Sequence, residues 1–66
     1  MDQAVADFNE AIRLQPNGTI GFQYRGVAYQ QAGQRDRAIA DYRKALQLSP
    51  ANGLARDALK ELGVEP

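Results

Sequence analysis

The sequence predicts an all-α fold, a short stack of repeated helical units, and two observations carry that prediction. The first is an internal period. Shifting the chain by 34 positions lays Asp2-Gln3-Ala4-Val5-Ala6-Asp7-Phe8 over Asp36-Arg37-Ala38-Ile39-Ala40-Asp41-Tyr42. The same shift lays Ala11-Ile12-Arg13-Leu14-Gln15-Pro16 over Ala45-Leu46-Gln47-Leu48-Ser49-Pro50, without a gap. A fixed period of this kind marks supersecondary units that bury their apolar faces on one another rather than in one closed core. The second observation is that apolar residues recur at three- and four-residue spacing between proline and glycine stops, which is the helical period.

The elements follow in order. A first helix runs from Asp2 to Gln15 and is stopped by Pro16-Asn17-Gly18. A second, Thr19 to Ala32, is apolar on two sides: Phe22, Gly26 and Tyr29 share one, and Ile20, Tyr24 and Val27 lie nearly opposite. Such a helix is sandwiched or offers one side to something else. Gly26 inside it costs about 1 kcal/mol relative to alanine, so a close backbone approach of the neighbouring helix is the expected compensation. Gly33 supplies a left-handed helix end. The third helix, Asp36 to Leu48, places Ala38, Ile39, Tyr42, Ala45 and Leu46 on one face, with Asp36 expected to cap its start and Pro50 beyond its end. In the last, about Gly53 to Leu62, the residues Leu54, Ala55, Ala58, Leu59 and Leu62 form one stripe while Arg56, Asp57, Lys60 and Glu61 face away. A polar-backed helix of that kind suits the end of a stack. Gly63-Val64-Glu65-Pro66 stops it and reads as the terminus of the stack.

Composition narrows the chemistry. The 66 residues contain no cysteine and no histidine, which leaves no disulfide and neither thiolate nor imidazole for a metal. No metal, cofactor or catalytic residue is expected. The aliphatic hydroxyls, Thr19 and Ser49, lie near helix boundaries without a base beside them. Asp2, Asp7 and Glu10 read as a solvated face, and Gly21 with Gly26 lack the Lys-Ser/Thr pair of a phosphate loop. Eight basic residues balance eight acidic ones. The stretch Thr19 to Pro50 nevertheless carries Arg25, Arg35, Arg37, Arg43 and Lys44 against Asp36 and Asp41. With no aromatic platform expected beside Arg35, Arg37, Arg43 and Lys44, nucleic acid is not an expected partner. No run approaches the roughly 18 apolar residues of a membrane span. The start Met1-Asp2-Gln3 is not that of a secretory signal, so the expectation is a soluble, cytoplasmic chain without a membrane partner.

The pattern Phe22-x-x-Arg25-Gly26-x-x-Tyr29, then Ala38-x-x-x-Tyr42, then Ala45 and Pro50, resembles the tetratricopeptide-repeat signature. The resemblance implies antiparallel helix hairpins, each a 34-residue unit, in a right-handed stack of about four helices. It divides the chain into the second helix of a partial repeat (1–18), a complete repeat (19–52) and a capping helix (53–66). Phe22 stands where the pattern has tryptophan. Arg25 stands where it prefers leucine, so that side chain is expected to be partly exposed, its stem lying over the neighbouring helix.

The resemblance also implies a function, a non-catalytic scaffold that binds a protein or peptide on its concave face. The first helix of each unit lines that face, which places Ile20, Gln23, Tyr24, Val27, Gln30 and Gln31 as candidate partner-binding residues. Equally open is that Ile20, Tyr24 and Val27 pack against the preceding helix. Some family members clamp the C-terminal carboxylate of chaperones with cations on this face. Here the corresponding positions hold Ile20, Gln23, Tyr24 and Val27, which disfavours that ligand. An alternative is self-assembly. The helix that would cover the first one is missing from the pattern, so part of Val5, Phe8 and Ile12 is expected to be exposed and able to drive a homodimer or helix-swapped oligomer.

Overall fold

The computed structural model describes residues 2–64, which form four α-helices joined by short turns. They are α1 (Asp2–Leu14), α2 (Thr19–Gln31), α3 (Arg35–Leu48) and α4 (Gly53–Glu61). Each packs on its neighbour in sequence, α1 on α2, α2 on α3 and α3 on α4, with the α2–α3 contact the most extensive. The all-α fold and the helix boundaries match the sequence expectation to within a residue or two. Met1, Glu65 and Pro66 lie outside the described residues, so the expected stop is seen only through Val64.

The turns show why the chain folds back so tightly. Gly33 closes α2 at φ 79° and Gly63 closes α4 at φ 78°, a backbone region open to glycine without steric cost. In both, the two amides after the helix turn back onto it: Gln34 N donates to Tyr29 O and Val64 N to Leu59 O, each at 2.9 Å. These bonds satisfy carbonyls that a helix end otherwise leaves open. Because Gln34 is tied to α2 in this way, α3 begins at once. Gln34, not Asp36, occupies its cap position, without a side-chain cap bond. Asp36 sits within the first turn instead, where its charge still complements the helix dipole.

The core is built mostly from alanine, which lets the helix axes approach closely. Ala38, Tyr42 and Ala45 from α3 meet Ala55, Ala58 and Leu59 from α4, and Phe22, Val27 and Tyr29 from α2 pack against them. Tyr42 and Leu59 are the largest fully buried side chains, and burying each apolar body contributes about 1.5–3 kcal/mol. Gly26 explains how Tyr42 fits. A Cβ there would stand 2.9 Å from Tyr42 Cε1, so the glycine makes room for a ring. The expected backbone approach is replaced by this ring-on-backbone contact. The predicted α4 stripe also needs one correction: Ala55, Ala58 and Leu59 are buried, but Leu54 is 43% exposed and turns out of the core.

Candidate functional site

Two helices that do not adjoin in sequence, α2 and α4, flank an open groove of about 560 Å³. Val27, Leu54 and Ala58 supply its apolar surface, with the edge of Tyr42 between them. Gln30 and Gln31 bring amides from α2, and Asp57 and Glu61 bring carboxylates from α4. This volume lies in the range of sites that hold a ligand or a few peptide side chains. Sequence reading missed the two acids. It assigned Asp57 and Glu61 to the outer face of α4, because a wheel drawn for one helix does not show that α2 stands beside it.

The groove's base is held by hydrogen bonds. Tyr42, buried in the core, donates its phenol proton to Gln30 Oε1 at 2.7 Å, a bond that leaves the Gln30 amide nitrogen available as a donor. Burial raises the Tyr42 pKa above its ordinary value, and the negative charges of Glu61 and Asp41 add to the effect. Asn52 orders the other end. It caps α4 by accepting from Ala55 N at 3.1 Å, while its Nδ2 donates to Gln23 Oε1 at 2.6 Å and to Thr19 Oγ1 at 3.3 Å. Thr19 Oγ1 in turn donates to Ala45 O at 3.0 Å. The beginnings of α2 and α4 are therefore fixed relative to each other. An asparagine just before a helical run is a readable cap signal, and it could have flagged Asn52.

The expected partner-binding residues divide into three groups. Val27, Gln30 and Gln31 line the groove. Gln23 is half-buried and engaged by Asn52. Ile20 and Tyr24 lie outside it: Ile20 is 63% exposed beside the α1–α2 turn, and Tyr24 stacks on Phe8 with centroids 6.0 Å apart. Of the expected self-association residues, Val5, Phe8 and Ile12 are all half-buried. Phe8 is covered by Tyr24, and Ile12 Cγ1 occupies the space above Gly21. The exposed large apolar side chain of α1 is Leu14, at 65%.

Of the expectations about the basic residues, one is extended and one corrected. Arg25 is partly exposed as expected, and its head group is also bonded. Its Nε and one terminal nitrogen donate to the two oxygens of Asp41, at 2.8 and 2.7 Å, and the other donates to Asn9 Oδ1 at 2.7 Å. One guanidinium thus ties α2 to α3 and α1. The Asp41 hydrogen bonds raise the Arg25 pKa further. The reason for the departure from leucine is Asp41, whose side chain is only 6% exposed and needs a cation. The basic residues of α3 are not free of aromatic rings. Arg37 lies 5.8 Å from the Tyr29 ring centroid and Lys44 lies 6.0 Å from that of Phe22, with Arg25 within 5.8 Å of both rings. The rings are thus engaged by the chain's own cations.

Among the described residues, no group of three His, Cys, Asp or Glu side chains comes together as a metal site. No helix among them is long and apolar enough to cross a membrane.

Hairpins on a fixed period, small-residue packing and an open face between alternate helices define a helical-repeat scaffold. The chain belongs to the tetratricopeptide-repeat family, whose model, described as "Tetratricopeptide repeat", matches residues 20–52. Its relatives include Small glutamine-rich tetratricopeptide repeat-containing protein 2 of Mycosarcoma maydis, 38% identical over 56 residues, 85% of this chain and 16% of that protein. Heat shock protein STI1 of Saccharomyces cerevisiae is 32% identical over 59 residues, 89% of this chain and 10% of the relative. Sperm-associated antigen 1 of Mus musculus is 32% identical over 59 residues, 89% of this chain and 6% of its own length. The chain thus spans well under a quarter of each of these relatives. No solved structure matches. Membership in this family makes the chain a protein–protein interaction scaffold.

Proposed function

We propose that the chain seats a segment of a partner protein in the groove between α2 and α4, on the concave face, and performs no chemistry itself. The observation that carries this reading is the groove's composition. Apolar surface from exposed Leu54 and half-buried Val27, floored by buried Ala58, stands beside the Gln30 and Gln31 amides, which suits a peptide's side chains and backbone together. Asn52 and Tyr42 hold that arrangement without closing it. In this reading residues 19–52 are the complete repeat, 1–18 the second helix of a partial one, and 53–66 a capping helix whose exposed side completes the site.

Leu54→Asn tests the proposal, because Leu54 is exposed and leaves the core intact when changed. The expected result is loss of a partner recovered with the wild-type chain, at unchanged helicity. Retained partner binding would overturn the assignment.

A second reading, self-assembly through α1, draws on Leu14 and Ile20, which are 65% and 63% exposed near the half-buried Val5, Phe8 and Ile12. It requires a mass above one chain by light scattering that falls on dilution and in Phe8→Glu. A monomer at every concentration would eliminate it.

A further inference from the structure

The groove's charge says what kind of segment it takes, an inference that rests on the groove being the partner site. Both charged residues lining it, Asp57 and Glu61, are acidic, exposed and one turn apart on α4. Among the described residues neither is in an ion pair. The nearby cations are placed elsewhere: Arg56 donates to Pro50 O at 2.8 Å and Arg35 to Leu62 O at 2.6 Å, while Lys60 is not among the lining residues. Asp41, behind Tyr42, is neutralised by Arg25 and adds little to the field at the surface. The remaining wall is apolar or amide, so two uncompensated carboxylates set the sign of the potential where a ligand would lie.

We propose that the α2–α4 groove selects a partner segment in which an apolar side chain is flanked by lysine or arginine. The apolar side chain rests on Val27, Leu54 and Ala58. The flanking cations face Asp57 and Glu61, and the Gln30 amide nitrogen, whose oxygen is taken by Tyr42, is the donor for a backbone carbonyl of the segment. An acidic segment in the same place would set its charge against two carboxylates with no cation in the lining to answer it.

The test uses two synthetic peptides of equal length with a central leucine, flanked by lysines in one and by glutamates in the other. Each is titrated into the isotope-labelled chain while backbone amide resonances are followed. The lysine peptide is expected to shift the amides of Val27, Gln31, Leu54 and Asp57, and the glutamate peptide to leave them unmoved. Added salt should weaken the lysine complex, and the paired change Asp57→Asn with Glu61→Gln should weaken it about tenfold, as for a few exposed ion pairs. Both substitutions are isosteric and on exposed positions, so the fold is preserved and amide dispersion verifies it. Equal binding of the two peptides in the groove would overturn the charge selection while leaving the groove as the partner site. Shifts confined to another face, or insensitivity to the paired substitution, would also overturn it. Failure of both peptides to perturb the groove would remove the partner-site reading as well.

Discussion

Replacing Arg25 by leucine, the residue the repeat pattern prefers, should destabilise this chain. The change keeps an aliphatic body against Phe22 and Tyr29 but removes the partner of Asp41. That carboxylate is 6% exposed and accepts two charge-assisted hydrogen bonds from Arg25. Two unit charges about 4 Å apart interact by roughly 4 kcal/mol at an effective dielectric of about 20, and desolvation offsets much of this. Removing one member is different, because the other stays buried without compensation, at about 3–5 kcal/mol. Arg25 is 22% exposed, so water can reach the vacated position, which puts the expected loss near the lower end, about 3 kcal/mol. A small scaffold commonly has only roughly 3–5 kcal/mol in total, so most of the stability should go.

Urea denaturation followed by helical circular dichroism measures this, arranged as a double-mutant cycle with Asp41→Leu. The double variant should recover much of the loss, because an apolar pair of similar volume carries no desolvation cost. If Arg25→Leu alone is neutral or stabilising, Asp41 does not depend on Arg25 and the reasoning fails.

Other consequences are direct. Gly26→Ala should cost about 1–3 kcal/mol despite alanine's better helix propensity, because its Cβ would meet the buried Tyr42 ring; thermal melts should show it less stable than the wild-type chain. Tyr42→Phe keeps the ring packing but loses the bond to Gln30, for about 0.5–1.5 kcal/mol by denaturant titration. Its phenol has a folded pKa above the ordinary value of 10.0, so folding favours the neutral form. That contribution is complete below about pH 10 and is lost as pH rises through the raised value, so Tyr42→Phe should flatten the alkaline loss of stability. Asn52→Ala should cost about 1–2 kcal/mol as a lost helix cap and should also disturb the Gln23 resonances, because one side chain does both jobs.

The fold was legible because its determinants are local and repeated. Helical period, glycine and proline stops, and the alignment of residues 2–16 with residues 36–50 place all four helices without any knowledge of contacts. The left-handed turn at Gly33 follows from glycine's lack of Cβ. What escaped was pairwise. Arg25 and Asp41 are sixteen residues apart and look like ordinary surface charges until α2 and α3 are packed. Asp57 and Glu61 were read as solvent-facing because a helical wheel knows its own helix and not the neighbour that turns one flank into a groove wall. Half of the expected partner-binding set, Val27, Gln30 and Gln31, falls in the groove because it shares the C-terminal part of α2 beside α4. Ile20 and Tyr24 belong to the part of that helix which faces α1 and its turn.

The central claim is that partners meet the α2–α4 groove, and a photoreactive side chain tests it most directly. It would replace exposed Gln31 in the groove, or exposed Gln47 on α3, in the full chain within its own cells. The account predicts discrete protein adducts from position 31 that vanish in Leu54→Asn, and none from position 47. Adducts from position 47 alone, or adducts from position 31 that persist in Leu54→Asn, would contradict it.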